Sequence, residues 1–167
     1  MMIVSHSLPE QALLRPYAQS GAYTDCYLMT LPGPVHLAHF VEAFYSSSVF
    51  KFERTLLGLA LGKKASDQDA AALGRSQVSQ FSAWQVEERT DTQLLLRFGD
   101  TRSWFMVETA ADTSRLYFGS AVLPRKVDVE GKGVFSAGFH LLSGFHHRYS
   151  QALLRSALKR LPKVQNA

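Results

Sequence analysis

The sequence predicts an α+β domain built on one antiparallel sheet of about five strands. Two or three helices follow the first strand, and a long C-terminal helix packs across the sheet. Apolar residues recur at helical spacing in the first half of the 167-residue chain, follow a period of two in short segments between residues 81 and 123, and return to helical spacing near the end. Short turns separate the alternating segments, which is typical of antiparallel strands that pair with their neighbours in sequence.

Length and composition indicate a single globular domain. The 46% hydrophobic and 19% charged residues exclude disordered, collagenous and coiled-coil chains. We place an N-terminal extension at 1–20, the domain at 21–161 and a tail at 162–167. A single cysteine, Cys26, cannot form an intramolecular disulfide and favours a cytoplasmic location. The longest stretch without Asp, Glu, Lys or Arg, 26–41, is too short and too rich in proline for a membrane span.

The first half of the domain begins with a strand and continues with helices. Residues 22–29 are rich in strand-forming side chains, and the run Leu31-Pro32-Gly33-Pro34 ends the strand. Apolar residues at helical spacing predict a helix over 35–45, and three serines at 46–48 interrupt it before a second apolar stripe that ends near Gly62. Ser66 offers an N-cap for a short third helix, which we expect to end at Gly74.

Four strands follow, over 81–89, 93–98, 102–108 and 115–123. Leu94, Leu96 and Phe98 share one side of the second of them. The pair Gly99-Asp100 is the clearest signal for a tight hairpin, since glycine suits the positive φ that two-residue hairpin turns require. The four strands therefore form a meander, closed by Pro124.

The C-terminal region predicts a loop at 125–133 and a helix from Val134 to Leu161, either continuous or kinked at Gly144. Its main apolar side includes two polar residues, His146 and Tyr149. A second, smaller stripe is expected to meet either the helices at 35–61 or a second subunit, so a homodimer through it is possible. This stripe consists of Leu154, Leu158 and Leu161.

The element order resembles the helix-grip fold of the START and Bet v 1-like superfamily. Short segments are similar to a small bacterial family of uncharacterised proteins within it: 31–34, Phe40-Val41-Glu42-Ala43-Phe44-Tyr45, Arg102-Ser103-Trp104, 116–122 and Phe145-His146-His147-Arg148-Tyr149-Ser150. The resemblance implies that the first strand joins the edge of the meander and that the last helix lies across a curved sheet. The superfamily carries no catalytic motif, so the resemblance assigns no functional residue.

Charge and motifs argue against several function classes. The nucleotide-binding, zinc-protease and hydrolase motifs based on glycine, histidine or serine are missing from the sequence. Residues 131–167 hold six Lys and Arg and no acid, but without interleaved aromatic residues this favours helix-dipole stabilisation over nucleic-acid binding. His36 and His39 have a spacing that can chelate a metal, yet no third ligand follows at a suitable position. We therefore expect no metal, no cofactor and no nucleic-acid partner.

Polar side chains on apolar faces are the best candidates for a binding site, because a buried polar group needs a partner. His146 and Tyr149 lie on the main side of the predicted last helix. In the strands, Arg102 and Trp104 share one face, and Ser120 shares a face with Phe118. The sequence thus predicts that a small hydrophobic molecule binds between the sheet and the last helix. Its candidate ligand-binding residues are His146, Tyr149, Arg102, Ser120 and Trp104.

Two other functions are compatible with the same residues. An enzyme on this scaffold could act on a lipid-like or polyketide-like substrate, with His146 as general base and Tyr149 or Arg102 polarising a carbonyl. A protein interaction module without a cavity is the second alternative. A closed apolar cavity of a few hundred Å³ would distinguish a binding protein from such a module.

Overall fold

A computed structural model describes residues 2–52, 55, 65–124, 126–127, 133–134 and 149–161, and these form an α+β structure. Helical residues also occur at 48–52 and at 149–158. We call residues 149–158 the C-terminal segment. The remaining elements, in chain order, are β1 (Ile3–Ser5), α1 (Arg15–Gln19), β2 (Tyr23–Pro32), α2 (Leu37–Tyr45), α3 (Asp67–Gly74), β3 (Gln80–Phe81), β4 (Trp84–Arg89), β5 (Gln93–Phe98), β6 (Thr101–Thr109), β7 (Thr113–Val122), β8 (Lys126–Val127) and β9 (Gly133–Val134).

The main sheet has seven antiparallel strands in the order β1-β2-β7-β6-β5-β4-β3. The predicted antiparallel arrangement is confirmed, and β2 joins the meander by pairing with β7 along its whole length, from Tyr23 opposite Val122 to Pro32 opposite Thr113. The predicted number of about five strands is wrong. The two additional strands are β1, at the outer edge beside β2, and β3, which Ser82 at φ 53° separates from β4.

Side chains alternate between two faces of the sheet, and each face has its own core. The first face carries the larger core, which includes Phe105 and Phe118. The second face carries a smaller one around Trp104 and Tyr117. Because Phe105 pairs with Phe118 and Trp104 pairs with Gly119, each β6–β7 pair belongs wholly to one face.

Helices cover the first face. Phe40, Val41 and Phe44 of α2 are buried there at helical spacing, as predicted. The third helix begins as predicted, with Ser66 and Asp69 forming a capping box. It packs so closely on α2 that a Cβ at Gly74 would lie 2.5 Å from the carbonyl oxygen of Ala38.

Residues 8–17 cover the second face, although the sequence analysis placed them in an N-terminal extension. Ala12 and Leu14 are buried in the second core, and Tyr17 packs against it. No side chain fits at Gly119, because a Cβ there would lie 2.6 Å from the carbonyl oxygen of Asp25 on β2 and 3.1 Å from the Leu14 side chain of this cover. The N-terminal residues therefore contribute to the fold on two sides, through β1 at the edge and through this cover.

The start of the C-terminal region differs from the sequence prediction. Val134 belongs to β9, which pairs with β8, so no helix begins there. The middle of the predicted helix, including Gly144, lies outside the described residues. The C-terminal segment packs on the first face, where Leu153 is buried. Its Ser156 hydroxyl lies 2.9 Å from that of Ser48 and joins it to the helical residues 48–52.

The second leucine stripe faces the protein's own core. Leu154 and Leu161 are buried in the core of the first face, and Leu158 packs against it. The homodimer considered from the sequence therefore gains no support, since two of its three leucines are already covered within the chain. No helix in the described ranges is long and apolar enough to cross a membrane.

Candidate functional site

A cavity of about 230 Å³ lies between the sheet and the C-terminal segment, and we call it the sheet–helix cavity. Strands β6 and β7 form its floor, the end of α2 and residue 50 form one wall, and the C-terminal segment forms another. The cavity is mainly apolar. Its apolar wall consists of Phe44, Phe50, Trp84, Phe98, Phe118 and Leu153.

Aromatic contacts hold the apolar wall in place. The Phe44 ring packs at 4.7 Å from that of Phe118 and edge-on at 4.9 Å from that of Phe105, so α2 is fixed on the sheet. Phe50 packs edge-on at 4.7 Å against Tyr45. Edge-to-face pairs of this kind are favourable beyond the area they bury. The wall is therefore preformed.

Serines bring hydrogen-bonding groups to the floor of the cavity. Ser103 and Ser120 lie directly opposite each other on β6 and β7, and both are buried. The Ser120 hydroxyl donates to Oδ1 of Asp25 at 2.7 Å, and its backbone N–H donates to the same oxygen at 2.8 Å. Ser150, also buried, contributes a third serine from the C-terminal segment.

Trp84 also lines the cavity, and its side chain carries an indole N–H. Trp84 is the first residue of β4, its ring packs 5.7 Å from that of Phe98, and it is only 8% exposed. Its Nε1 is buried and has no acceptor among the described residues. Buried polar groups nearly always have a partner, so this N–H is the exception that needs a physical explanation.

Asp25 determines the electrostatics beside Ser120. Burial and the Asp25 carboxylate together raise the pKa of Tyr27, whose hydroxyl donates to Asp25 at 3.3 Å. The same two causes raise the pKa of Tyr23. Both phenols therefore stay neutral at physiological pH, and the negative charge beside Ser120 is that of Asp25.

The structure divides the candidate residues of the sequence analysis between two faces. Ser120 and Tyr149 border the sheet–helix cavity. His146, the candidate general base, lies outside the described residues. Trp104 lies on the second face, fully buried, and its Nε1 donates to the side-chain oxygen of Gln93 at 2.8 Å. It is a core residue with a satisfied donor.

Arg102 also turns its guanidinium to the second face, although its strand borders the cavity. Its Nε lies 2.8 Å from Oε2 of Glu87 and donates to the Tyr17 hydroxyl at 3.1 Å, and the guanidinium lies over the Tyr17 ring. A β-bulge between Val86 and Glu88 places Glu87 in this cluster. The Arg102 cation therefore fastens α1 to the sheet and does not face the cavity.

Cys26 lies in the second core, away from the sheet–helix cavity. Burial, and to a lesser degree the Asp25 carboxylate, raises the pKa of its thiol to about 12. A thiol with so high a pKa is almost entirely protonated at neutral pH, so it is a poor nucleophile. Cys26 is therefore a small buried residue of the second core.

A second concave region of about 580 Å³ lies beside β2, beyond the end of β1. Polar and apolar groups contribute about equally to its lining, which includes Ser5, His6 and Arg15. The Arg15 side chain donates to the carbonyl oxygen of Leu8 at 3.1 Å, and the His6 backbone N–H donates to that of Cys26 at 2.9 Å. These bonds serve to hold the N-terminal residues against the sheet, so this groove is a weaker candidate than the smaller apolar cavity.

The sequence analysis missed most of the residues that form the cavity. Phe44 was assigned to an ordinary helix core, Phe50 was not singled out, and Trp84 was read only as part of a strand. The alternation of side chains along each strand was a usable signal for the serines. Ser103 must share a face with Phe105, and Ser120 must share a face with Phe118. Because Phe105 pairs with Phe118, both serines lie on the same face.

No protein-family model, curated protein or solved structure matches this chain. Within the described part of the chain, no cluster of three or more His, Cys, Asp or Glu side chains could hold a metal ion.

Proposed function

We propose that this protein binds a small, mostly apolar molecule in the sheet–helix cavity. The observation that carries this proposal is the cavity itself, with six apolar or aromatic side chains around buried serines. Ligand sites are typically concave and apolar, with a few polar groups that orient the ligand. A cavity of about 230 Å³ is smaller than the roughly 300–1,000 Å³ of drug-sized sites. The ligand is therefore about the size of one substituted ring or a short acyl chain.

The element order supports a helix-grip protein of the START and Bet v 1-like kind. The helices follow β2, the meander follows the helices, and the C-terminal segment packs on the same face as α2. In such an arrangement the space between the sheet and the last helix is the natural place for a ligand. The proposal extends this interpretation to the present chain, with Ser120 and Tyr149 among its ligand-binding residues.

The two tryptophans of the chain provide a direct test, because Trp84 borders the cavity and Trp104 lies on the other face. In a Trp104→Phe protein, Trp84 is the sole tryptophan and reports on the cavity. Titration with ethylbenzene, a small apolar probe, is expected to change its fluorescence in a saturable way. A Trp84→Phe protein, in which only Trp104 fluoresces, is the matched control and should show no saturable change.

A blocking variant checks the location of the bound probe. Ser103→Phe adds a ring to the floor of the cavity and should abolish ethylbenzene binding, measured by calorimetry. Native mass spectrometry of freshly purified protein would in addition reveal a co-purified ligand and its mass. Absence of saturable binding to the wild-type chain, or binding that Ser103→Phe leaves intact, would contradict the proposed function.

A further inference from the structure

Ser103 carries a hydroxyl that is open to the sheet–helix cavity. Its strand neighbours Arg102 and Trp104 turn their side chains to the second face, so alternation places the Ser103 side chain on the first face. The cavity lies on that face, and Ser103 lines it. Ser103 is 5% exposed, and its oxygen is not among the fully enclosed polar atoms without a partner, so an occupant of the cavity can reach it.

The Ser103 hydroxyl forms no hydrogen bond within the described part of the chain. Ser120 lies directly opposite, but it donates its own hydroxyl proton to Oδ1 of Asp25 at 2.7 Å. A hydroxyl has one proton to donate, and a donor that leaves bulk water without finding an acceptor costs free energy. An occupant that offers Ser103 a lone pair is therefore bound more tightly than one that does not.

A buried serine with a structural role looks different in this protein. The Ser114 hydroxyl accepts from the backbone N–H of Val35 at 2.8 Å and donates to the carbonyl oxygen of Gly33 at 2.8 Å. It thereby joins β7 to the chain that leads from β2 into α2. Ser103 makes no such bond with any described residue, so its hydroxyl is available to a ligand.

The C-terminal segment brings a second hydroxyl to the cavity. Ser150 lines the cavity, is 1% exposed and likewise has no hydrogen-bond partner among the described residues. Leu153 follows it by three positions and shares its side of the helix, and Leu153 is buried in the core of the first face. The cavity therefore carries hydroxyls on its floor and on one wall, within surroundings formed largely by aromatic rings.

We propose that the ligand carries an oxygen atom that accepts a hydrogen bond from the Ser103 hydroxyl, on an otherwise apolar body. This inference rests on the proposed function and makes it more specific, because it names the ligand class as small alcohols, phenols, ketones or esters. Phe44 and Phe118, whose ring centroids lie 4.7 Å apart, then hold the apolar body beside the sheet. Ser103 is thus a specificity-determining residue, which distinguishes an oxygen-bearing ligand from a hydrocarbon of the same shape.

Three probes with one carbon skeleton measure this preference. Ethylbenzene carries no oxygen, 1-phenylethanol adds a hydroxyl, and acetophenone adds a carbonyl. Calorimetry gives the ratio of the affinity of each oxygen probe to that of ethylbenzene, and a change of this ratio on substitution is independent of how readily each probe leaves water. Ser103→Ala should lower the ratio about tenfold for at least one oxygen probe, since it removes one hydrogen bond and leaves the apolar wall in place. The probe that loses more identifies the head group as a hydroxyl or a carbonyl.

Matched variants connect this change to the hydroxyl. Ser103→Thr keeps the hydroxyl and should keep the wild-type ratio, and Ser79→Ala, at an exposed serine, should leave it unchanged. The urea midpoint is a readout that needs no ligand. Ser103→Ala should leave the midpoint unchanged or raise it, whereas Ser114→Ala removes two hydrogen bonds and should lower it.

The outcomes separate this inference from the proposed function. If the probes bind and the ratio is the same in the wild-type and Ser103→Ala proteins, the cavity is a binding site, but water satisfies the hydroxyl and the inference is overturned. A midpoint that Ser103→Ala lowers as much as Ser114→Ala would assign Ser103 a structural role and would also overturn it. If none of the three probes binds the wild-type protein, the proposed function and this inference both fail.

Discussion

Gln93 is the residue that connects the N-terminal cover to the sheet. Its side-chain oxygen accepts from the Trp104 indole at 2.8 Å and from the Leu13 backbone N–H at 3.0 Å. Its side-chain nitrogen donates to the carbonyl oxygen of Gln11 at 2.9 Å. The residue is 7% exposed, so one buried amide satisfies three groups that would otherwise lack partners.

Replacement of this amide by an apolar side chain should therefore be costly. Gln93→Leu keeps most of the volume but leaves the N–H groups of Trp104 and Leu13 unpaired. We expect the free energy of unfolding, measured by urea denaturation, to fall by about 1–3 kcal/mol. Gln77→Leu, at an exposed position, is the matched control and should change it by less than about 0.5 kcal/mol. Equal effects of the two substitutions would show that the amide is not a structural anchor.

The buried thiol of Cys26 makes stability depend on alkaline pH. Burial raises its pKa from an ordinary value of 9.0 to about 12, so the folded protein keeps the thiol protonated where the unfolded chain would ionise it. A raised pKa in the folded state contributes stability that is complete below pH 9 and is lost as the pH rises towards 12.

A Cys26→Ala protein should lose less stability than wild type at high pH. Each pH unit above the unfolded pKa corresponds to about 1.4 kcal/mol. Between about pH 8 and pH 10.5 we therefore expect the wild-type protein to lose about 2 kcal/mol more than the variant, measured by urea denaturation. The ionisation of buried tyrosines such as Tyr27 and Tyr117 occurs in both proteins, and the Cys26 charge is only the smallest of the causes that raise their pKa, so most of this contribution cancels in the comparison. Parallel pH curves would contradict this assignment.

At the scale of elements, the N-cap of α3 was visible in the sequence, and its contribution to stability can be measured. Ser66 accepts from the Asp69 backbone N–H at 3.2 Å, and the Ser66 backbone N–H donates to the Asp69 carboxylate at 2.7 Å. Ser66→Ala removes one half of this box and should lower the free energy of unfolding by about 1 kcal/mol. Ser79→Ala, at an exposed serine, is the control and should leave the urea midpoint unchanged. An unchanged midpoint in Ser66→Ala as well would mean that the cap contributes nothing to stability.

Elements with a strong local signal could be predicted from the sequence. The alternation of leucines gave the bounds of β5 correctly as 93–98, and the Gly99-Asp100 turn indeed joins Phe98 to Thr101 with Gly99 at φ 53°. In a two-residue turn this conformation strongly favours glycine, which is why the signal was specific.

Elements defined by long-range pairing could not be predicted in the same way. β1 has three residues, too few to show a period, and it exists because its backbone pairs with residues 27–29 of β2. The break between β3 and β4 depends on Ser82 at a positive φ, a conformation that serine rarely adopts and that its identity does not signal.

Across the whole molecule, the candidate site could be predicted in part. Residue parity correctly grouped Arg102 with Trp104 and Ser120 with Phe118, because alternation is a local property of each strand. Parity does not specify what covers each face. The cover of the second face comes from residues 8–17, which precede Trp104 by 87 to 96 positions in the chain, and no short-range pattern links the two. The sequence analysis consequently assigned both faces to one ligand site.

Removal of the N-terminal residues tests whether they belong to the fold. A chain of residues 21–167 lacks β1 and the cover of the second face, and it exposes Trp104 and Met106 to water. Loss of the fully buried Leu14 side chain alone corresponds to about 2–5 kcal/mol. Since domains are stable by only about 5–15 kcal/mol, we expect the shortened chain to unfold at a much lower urea concentration than the full chain.

A second truncation and a fluorescence signal separate the two N-terminal contributions. A chain of residues 7–167 loses β1 but keeps Ala12, Leu14 and Tyr17, so its urea midpoint should lie between those of the other two. In a Trp84→Phe background, Trp104 is the sole tryptophan, and its emission should shift to longer wavelength in the 21–167 chain, where water reaches the indole. If the 21–167 chain instead matches the full chain in both midpoint and emission, the second face needs no cover and residues 1–20 are a separable extension.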